Sequence, residues 1–145
     1  MPLLNYTTTV AATRTAAEMT HRLAVKGASQ IMTTYDAGHP TGLAFAMPTA
    51  HGLRRFTLPV DVERVYKVLT RDSQVPPRYK SEEQAERVAW RIVKDWLEAQ
   101  LAIIETEMVT LDQVMLPYMQ GDDGRTIWEL YLDQQLALGT AGGDG

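Results

Sequence analysis

The stretch KSEEQAERVAWRIVKDWLEAQLAIIETEM, residues 80–108, decides how the rest of the chain is read. Ser81-Glu-Glu-Gln84 opens it as a capping box, with acidic residues in the first turn where the helix dipole favours them. Behind the cap, Ala85, Val88, Ala89, Ile92, Trp96, Ala99 and Ile103 recur at spacings of three and four. Val93, Leu97, Leu101 and Ile104 form a second stripe beside the first. The pattern predicts one helix of about 26 residues, roughly 39 Å long. A helix resting on a single surface needs one apolar stripe about 100° wide. This one carries two, so further helices or a second copy of the chain must cover the excess. Pairing of long helices in a homodimer is one way to do so.

Three tryptophans fall on expected helices. Trp96 lies in the apolar stripe and reads as core. Trp90 lies off it, flanked by Arg87, Arg91 and Lys94, which suits stacking on a base or a half-buried contact. Trp90, Val93, Leu97, Leu101 and Ile104 are therefore the candidate protein interface. Two more capping boxes follow, Thr110-Leu-Asp-Gln113 and Thr126-Ile-Trp-Glu129, each starting a short helix that can fold back on the long one. Pro117 ends or kinks the first, and Gly121-Asp-Asp-Gly124 is the turn between them.

Upstream, the pattern changes period. Asn5 to Val10 alternates Tyr6, Thr8 and Val10 against Thr7 and Thr9, a strand pattern. Thr15-Ala-Ala-Glu18 reads as the capping box of a helix through Met19 and Leu23 that stops at Lys26-Gly27. Gln30–Tyr35, Leu43–Met47 and Leu53–Leu58 are strand-like runs separated by turn formers, which predicts an antiparallel meander. Asp61 caps a short helix through Val65, Val68 and Leu69. The expected fold is α+β: a four-stranded, mostly antiparallel sheet with helices in the order β-α-β-β-β-α, then a helical region. Residues 1–138 form one domain, with an α/β half at 1–70, a linker at 71–79 carrying Pro76-Pro77, and a helical half at 80–138. The glycine-rich end, 139–145, is an expected mobile tail.

Composition narrows the function classes. Cysteine is absent, which removes disulfides, thiolate nucleophiles and cysteine-ligated zinc. The N-terminus lacks the pattern of a signal peptide, and no apolar run is long enough to span a membrane. A cytoplasmic protein, in the host cytoplasm if viral, is expected. Residues 1–79 hold nine Lys or Arg against five Asp or Glu, a balance of +4, while 80–145 hold five against thirteen, a balance of −8. Such a split fits two faces with different partners, or copies that attract head to tail; a solvated acidic helix surface accounts for it equally.

Catalytic motifs are scarce. The serines, Ser29, Ser73 and Ser81, form no nucleophile elbow, and the glycines form no phosphate loop. His21, His39 and His51 have no metal-ligand spacing. Glu83 with Arg87 and Lys94 with Glu98 are ordinary helix pairs. Asp122-Asp123-Gly124-Arg125 lacks the ligand pattern of a calcium loop. No cofactor, metal site or enzymatic activity is expected. The cluster that stands out is His51-Gly-Leu-Arg54-Arg55 together with Arg14, Arg22 and Lys26, a candidate contact for nucleic-acid phosphates. Adjacent strand residues face opposite ways, so Arg54 and Arg55 do not share one surface. Tyr6, Tyr35 and Phe45 are candidates for a base-stacking platform.

From Thr15 to Leu69, the order helix, three strands, helix is similar to the topology of the double-stranded-RNA-binding domain. That family begins its second helix with Lys-Lys-x-Ala-Lys, where this chain has Val60-Asp-Val-Glu-Arg64, so no RNA-binding residue carries over. The whole chain resembles small proteins encoded by tailed phages and prophages of GC-rich bacteria. The resemblance rests on NYTTTV (5–10), GLAFAMPTAHGLRRFTLPVDVERV (42–65), AERVAWRIVKDWLEAQLAIIE (85–105), LPYM (116–119) and DGRTIWELY (123–131). It implies a viral accessory role and names no catalytic residues. Two functions are expected on these grounds. One is binding of nucleic acid, single-stranded DNA in particular, in replication or recombination. The other is a protein-binding module, an inhibitor or adaptor of a host or phage protein acting through the long helix or the acidic face.

Overall fold

The computed structural model describes residues 1–138, with side chains described through Gln134. The elements in chain order are α1 (Ala12–Val25), β1 (Gln30–Asp36), β2 (His39–Thr49), β3 (Gly52–Thr57), α2 (Val62–Arg71), α3 (Glu82–Glu105), α4 (Leu111–Met115) and α5 (Ile127–Leu138). Short 3-10 turns sit at Pro77–Tyr79 and Leu116–Tyr118. The fold is α+β, with an antiparallel sheet in the order β1-β2-β3.

Three strands form, not four. Residues 5–10, the expected first strand, are a turn followed by irregular chain, with Asn5 at φ 65 and a hydrogen bond from the Tyr6 amide to the Leu3 carbonyl. The Gln84 side-chain amide donates to the Tyr6 and Thr8 carbonyls, both at 2.9 Å. The backbone there is satisfied by a helix side chain instead of a sheet edge. Threonine alternation expresses a packing preference, and packing here chose another partner. The β3 edge is instead capped from the C-terminal side, by an isolated bridge between Phe56 and Met119 and a Gln120 N–H donated to the Arg55 carbonyl.

The β1–β2 turn places Ala37 and Gly38 both at positive φ, 50 and 84, the conformation that matches the twist of a tight hairpin. β2 therefore begins at His39, four residues before the expected Leu43. Pairing sets Ile31 opposite Phe45 and Phe45 opposite Phe56, so these three share one face of the sheet. Phe45 and Phe56 stack at 5.3 Å on that face. Against it lie α1 and α3, through Met19, Leu23, Trp90, Val93, Leu97 and Leu101. The other face, which includes Met32, Gly42, Ala44, Ala46, Leu53 and Arg55, bears no helix layer among the described elements.

Helix α1 starts three residues before the expected cap. Ala11 precedes it without a side-chain hydrogen bond, and Thr15 is buried inside the helix. Glu18 turns outward to Arg91 and Arg14 instead of capping. The stop at Lys26-Gly27 is as the sequence predicts, with Gly27 at φ 108. Asp61, Ser81 and Thr110 each accept the amide three residues on, and Thr110 with Gln113 completes a reciprocal box.

Helix α3 is unbroken and its two apolar stripes meet two separate clusters. Trp90, Val93, Leu97 and Leu101 face the sheet and α1. Ala85 and Val88, with Ile92 beside them, face Leu69 of α2 and Val75. The expected linker, 71–79, belongs to this second cluster, with Val75 buried and Tyr79 edge-on to Tyr6. Trp96 and Ile104 lie at the margin of the first cluster with Val114 and Tyr118. Helix α2 packs chiefly on α3, and α3 packs against α1 and shares its core cluster with the sheet, with Trp90 bonded to the Pro40 carbonyl of β2. The element order of the double-stranded-RNA-binding domain is present, but its packing is not. The expected tail, 139–145, lies outside the described residues.

Candidate functional site

The residues expected to form a protein interface are mostly interior. Trp90 is 0% exposed, and Val93, Leu97 and Leu101 are buried with it. Ile104 is half-buried. The correction for Trp90 is geometric: residues 90, 93, 97 and 101 lie three and four apart and share a face. The surrounding cations leave to either side, Arg87 to Glu83 at 2.8 Å, Arg91 to Glu18 at 2.9 Å and Lys94 to Glu98 at 3.1 Å. The second apolar stripe is covered within the chain, so it does not call for helix pairing between copies.

The basic cluster is not assembled into one surface. Arg14, Arg22 and Lys26 are on α1, over β1 and β2, while Arg54 and Arg55 lie on β3 with His51 in its turn. Arg14 pairs with Glu18 at 3.3 Å, and Lys26 with Glu105 at 3.2 Å. Arg14 and Arg22 line a shallow dip with His21 and Lys94, and Glu18 and Glu98 lie in the same dip. Burial pushes the Glu18 carboxyl up, but the Arg91 hydrogen bond and the charges of Arg91, Lys94 and Arg14 outweigh it and hold the group below its ordinary value. His51 Nε2 is 4.0 Å from Asp112. Arg55 reaches across Ala46 to donate to Gln30 at 2.7 Å, and Arg54 leaves β3 on the opposite face. The three aromatics of the expected stacking platform are equally dispersed. Tyr6 is off the sheet, Phe45 is buried, and Tyr35 alone is exposed.

His39 Nδ1 lies 2.9 Å from Glu86, beside an open cleft of about 640 Å³ lined also by Asp36, Asp61, Glu82 and Glu83. No group of three His, Cys, Asp or Glu side chains among the described residues is placed to hold a metal ion.

The candidate site is elsewhere, on α5. Thr126 caps this helix: the Glu129 amide donates to its hydroxyl at 3.2 Å, and the Glu129 carboxylate accepts back from Thr126. The Ile127 amide donates to the Met119 carbonyl, which ties the helix start to the β3 edge. Arg125 pairs with Asp123 at 2.8 Å and also with Asp133, which keeps the Asp123 carboxyl ionised to lower pH than usual. At about 100° per residue, Leu130, Ile127, Tyr131, Trp128 and Leu132 span an apolar arc of roughly 200°. Only the Ile127 and Leu130 side is half-buried. Trp128 and Tyr131 are 51% and 54% exposed and stack on each other at 5.5 Å, with Leu132 exposed beside them. Glu129 and Asp133 flank this arc on its polar side. The sequence predicts that this helix, carrying Ile127, Leu130, Tyr131 and Leu132, can fold back on the long one, an expectation that does not single out its outward side. The width of the arc was the signal available.

No helix among the described residues is long and apolar enough to cross a membrane. No protein-family model matches this sequence, nor does any curated protein, nor any solved structure.

Proposed function

We propose that this protein is a non-enzymatic protein-binding module, an adaptor or inhibitor that grips another polypeptide through the outward side of α5. The observation that carries the reading is the mismatch on that helix. Its apolar arc is about twice the width that one supporting surface covers, and the uncovered part holds an exposed stacked Trp128–Tyr131 pair. Aromatic side chains of this kind anchor interfaces because they bury large area at little conformational cost. The acidic flank at Glu129, which has no cationic partner among the described residues, favours a partner segment that is apolar at its centre and basic at its rim. What weighs for this reading over single-stranded DNA is the dispersal of the basic residues, together with the carboxylate partners of Arg14 and Lys26.

A photo-crosslinking phenylalanine derivative placed at Trp128, with one at Arg14 as control, tests it in cells that make the protein. Cross-links to a polypeptide from position 128 and not from position 14 support the reading. Absence of such cross-links rejects it. In parallel, anisotropy with labelled single- and double-stranded oligonucleotides across a salt series is expected to show no binding. A steep salt slope reduced by Arg22→Ala or Arg54→Ala would replace this reading with the nucleic-acid one.

A further inference from the structure

The uncovered sheet face carries a feature that fits the uncovered helix. Along β2, the residues pointing to that face are Gly42, Ala44 and Ala46, so the middle strand is low where its neighbours stand high. The result is a trough of about 190 Å³ with Ala44 as its open floor, between Met32 on β1 and the Arg55–Gln30 bridge that covers Ala46, with Gln120 at its end. A pocket for a small organic ligand typically takes about 300–1,000 Å³. This one is the size of a single bulky side chain. Its rim is apolar at exposed Met32 and cationic at Arg55, whose guanidinium has the neutral Gln30 amide as its only hydrogen-bond partner among the described residues. On α5 the arrangement is the converse, with an aromatic pair at the centre and the Glu129 carboxylate at the edge of the apolar arc on the Trp128 side. Trp128 and Tyr131 are more than half exposed, so they do not fill the trough of their own chain.

We infer that the occupant of this trough is α5 of a second copy: Trp128 of one chain seats over Ala44 of the next, with Tyr131 stacked beside it and Glu129, about 100° round the helix, toward Arg55. The inference rests on the protein-binding reading and names the partner as the chain itself. Charge complementarity selects it. The turn and helix from Asp122 to Asp133 hold four carboxylates and one arginine, a balance of −3; Asp123 and Asp133 share Arg125, and Glu129 has no cationic partner among the described residues. The trough offers a cation paired with no carboxylate among the described residues. Small residues on the floor let a ring approach the strand backbone closely, and one well-filled aromatic anchor with a charged rim is the usual anatomy of a binding hot spot. Because the two surfaces lie on different parts of the chain, the contact is head to tail. Repetition of such a contact gives a closed ring or an open filament, not a two-fold dimer.

Complementation of two variants tests this. The full chain, followed by light scattering over a concentration series at low salt, is expected to grow beyond the mass of a dimer. Trp128→Ala with Tyr131→Ala removes the anchor. Ala44→Arg fills the trough, and Met32→Glu, at an exposed position, places a carboxylate opposite Glu129 without burying anything. Each variant alone is expected to associate at least tenfold more weakly. A mixture of the Trp128/Tyr131 variant with the Met32→Glu variant retains one good sheet face and one good α5, so it is expected to form a heterodimer that stops there. A wild-type chain monomeric at every concentration overturns the proposal. So does a mixture that fails to pair, which would indicate α5 meeting α5. If the chain is monomeric yet position 128 still cross-links to a foreign polypeptide, the protein-binding reading stands and the self-assembly proposal falls.

Discussion

The indole N–H of Trp90 donates to the carbonyl oxygen of Pro40 across 3.1 Å, tying α3 to the central strand of the sheet from a fully buried position. Both groups would be costly to bury unpaired, so the bond fixes the height at which the helix crosses the strand. Trp90→Phe keeps most of the ring and leaves the Pro40 carbonyl without that donor. A loss of about 1–3 kcal/mol is expected, and about 3–5 kcal/mol for Trp90→Ala, which adds a cavity. Urea midpoints with an unchanged slope are the measurement. A Trp90→Phe variant as stable as the parent would show the bond to be dispensable.

The two apolar clusters share α3, so they are expected to unfold as one unit. Leu69→Ala in one and Leu97→Ala in the other, both at buried positions, should each cost about 2–5 kcal/mol. Both should lower the same transition, seen identically by far-ultraviolet circular dichroism and by tryptophan fluorescence. Two separate transitions in Leu69→Ala would mean that α2 and its cluster fold independently.

Gln84 holds the N-terminal segment. Its amide donates to two carbonyls and its oxygen accepts from Arg87 at 2.9 Å. Gln84→Ala is expected to cost about 1–3 kcal/mol and to raise amide exchange selectively in residues 3–11. Gln84→Glu keeps the shape but replaces the donor with an acceptor, so it should do no better than alanine above pH 6. Unchanged exchange at the N-terminus in both variants would contradict this role.

Glu18 makes stability depend on pH in a defined direction. Its folded-state pKa lies below the ordinary 4.5 despite the opposing effect of burial. The contribution is therefore present above about pH 4.5 and is lost as the pH falls through the folded value. The side chain is 34% exposed, so solvent screening limits its worth to under about 1 kcal/mol. Glu18→Gln should be less stable than the parent at pH 7, and the difference should shrink as the pH falls below about 4.5. A difference that grows on acidification would reverse the sign of this linkage.

Helix α5 meets the rest of the chain chiefly at the 3-10 turn of Leu116–Tyr118. Its amides are expected to exchange orders of magnitude faster than those of α3 in the isolated chain. Protection that rises with protein concentration would accompany self-assembly. Protection equal to that of α3 at high dilution would mean that α5 is supported by its own chain.

Much of the local architecture was legible without coordinates. The three strands of the meander, the caps at Asp61, Ser81 and Thr110, the stop at Gly27 and the length of α3 all depend on groups a few residues apart. Hydrogen bonds and periodicity at that range are written into neighbouring letters. The errors fall where the deciding partner is distant in sequence. Residues 5–10 have the composition of a strand, but Gln84, nearly eighty positions away, supplies their hydrogen bonds. Trp90 sits among cations and reads as peripheral until Glu83, Glu18 and Glu98 are seen to draw those cations aside. The basic residues read as one cluster because numbering hides that α1 and the β3 edge lie at different places on the sheet.

By itself the sequence determined the helices and the three strands of the meander, the caps and stops set by near neighbours, and that α3 must be covered on two sides. Only the tertiary structure decided what does the covering: the sheet on one side, α2 with the 71–79 stretch on the other, and, among the described residues, nothing for the outward side of α5. The physical reason is that amphipathic period reveals how much apolar surface a segment must hide, while the identity of the hiding partner depends on chain topology, which no local period encodes.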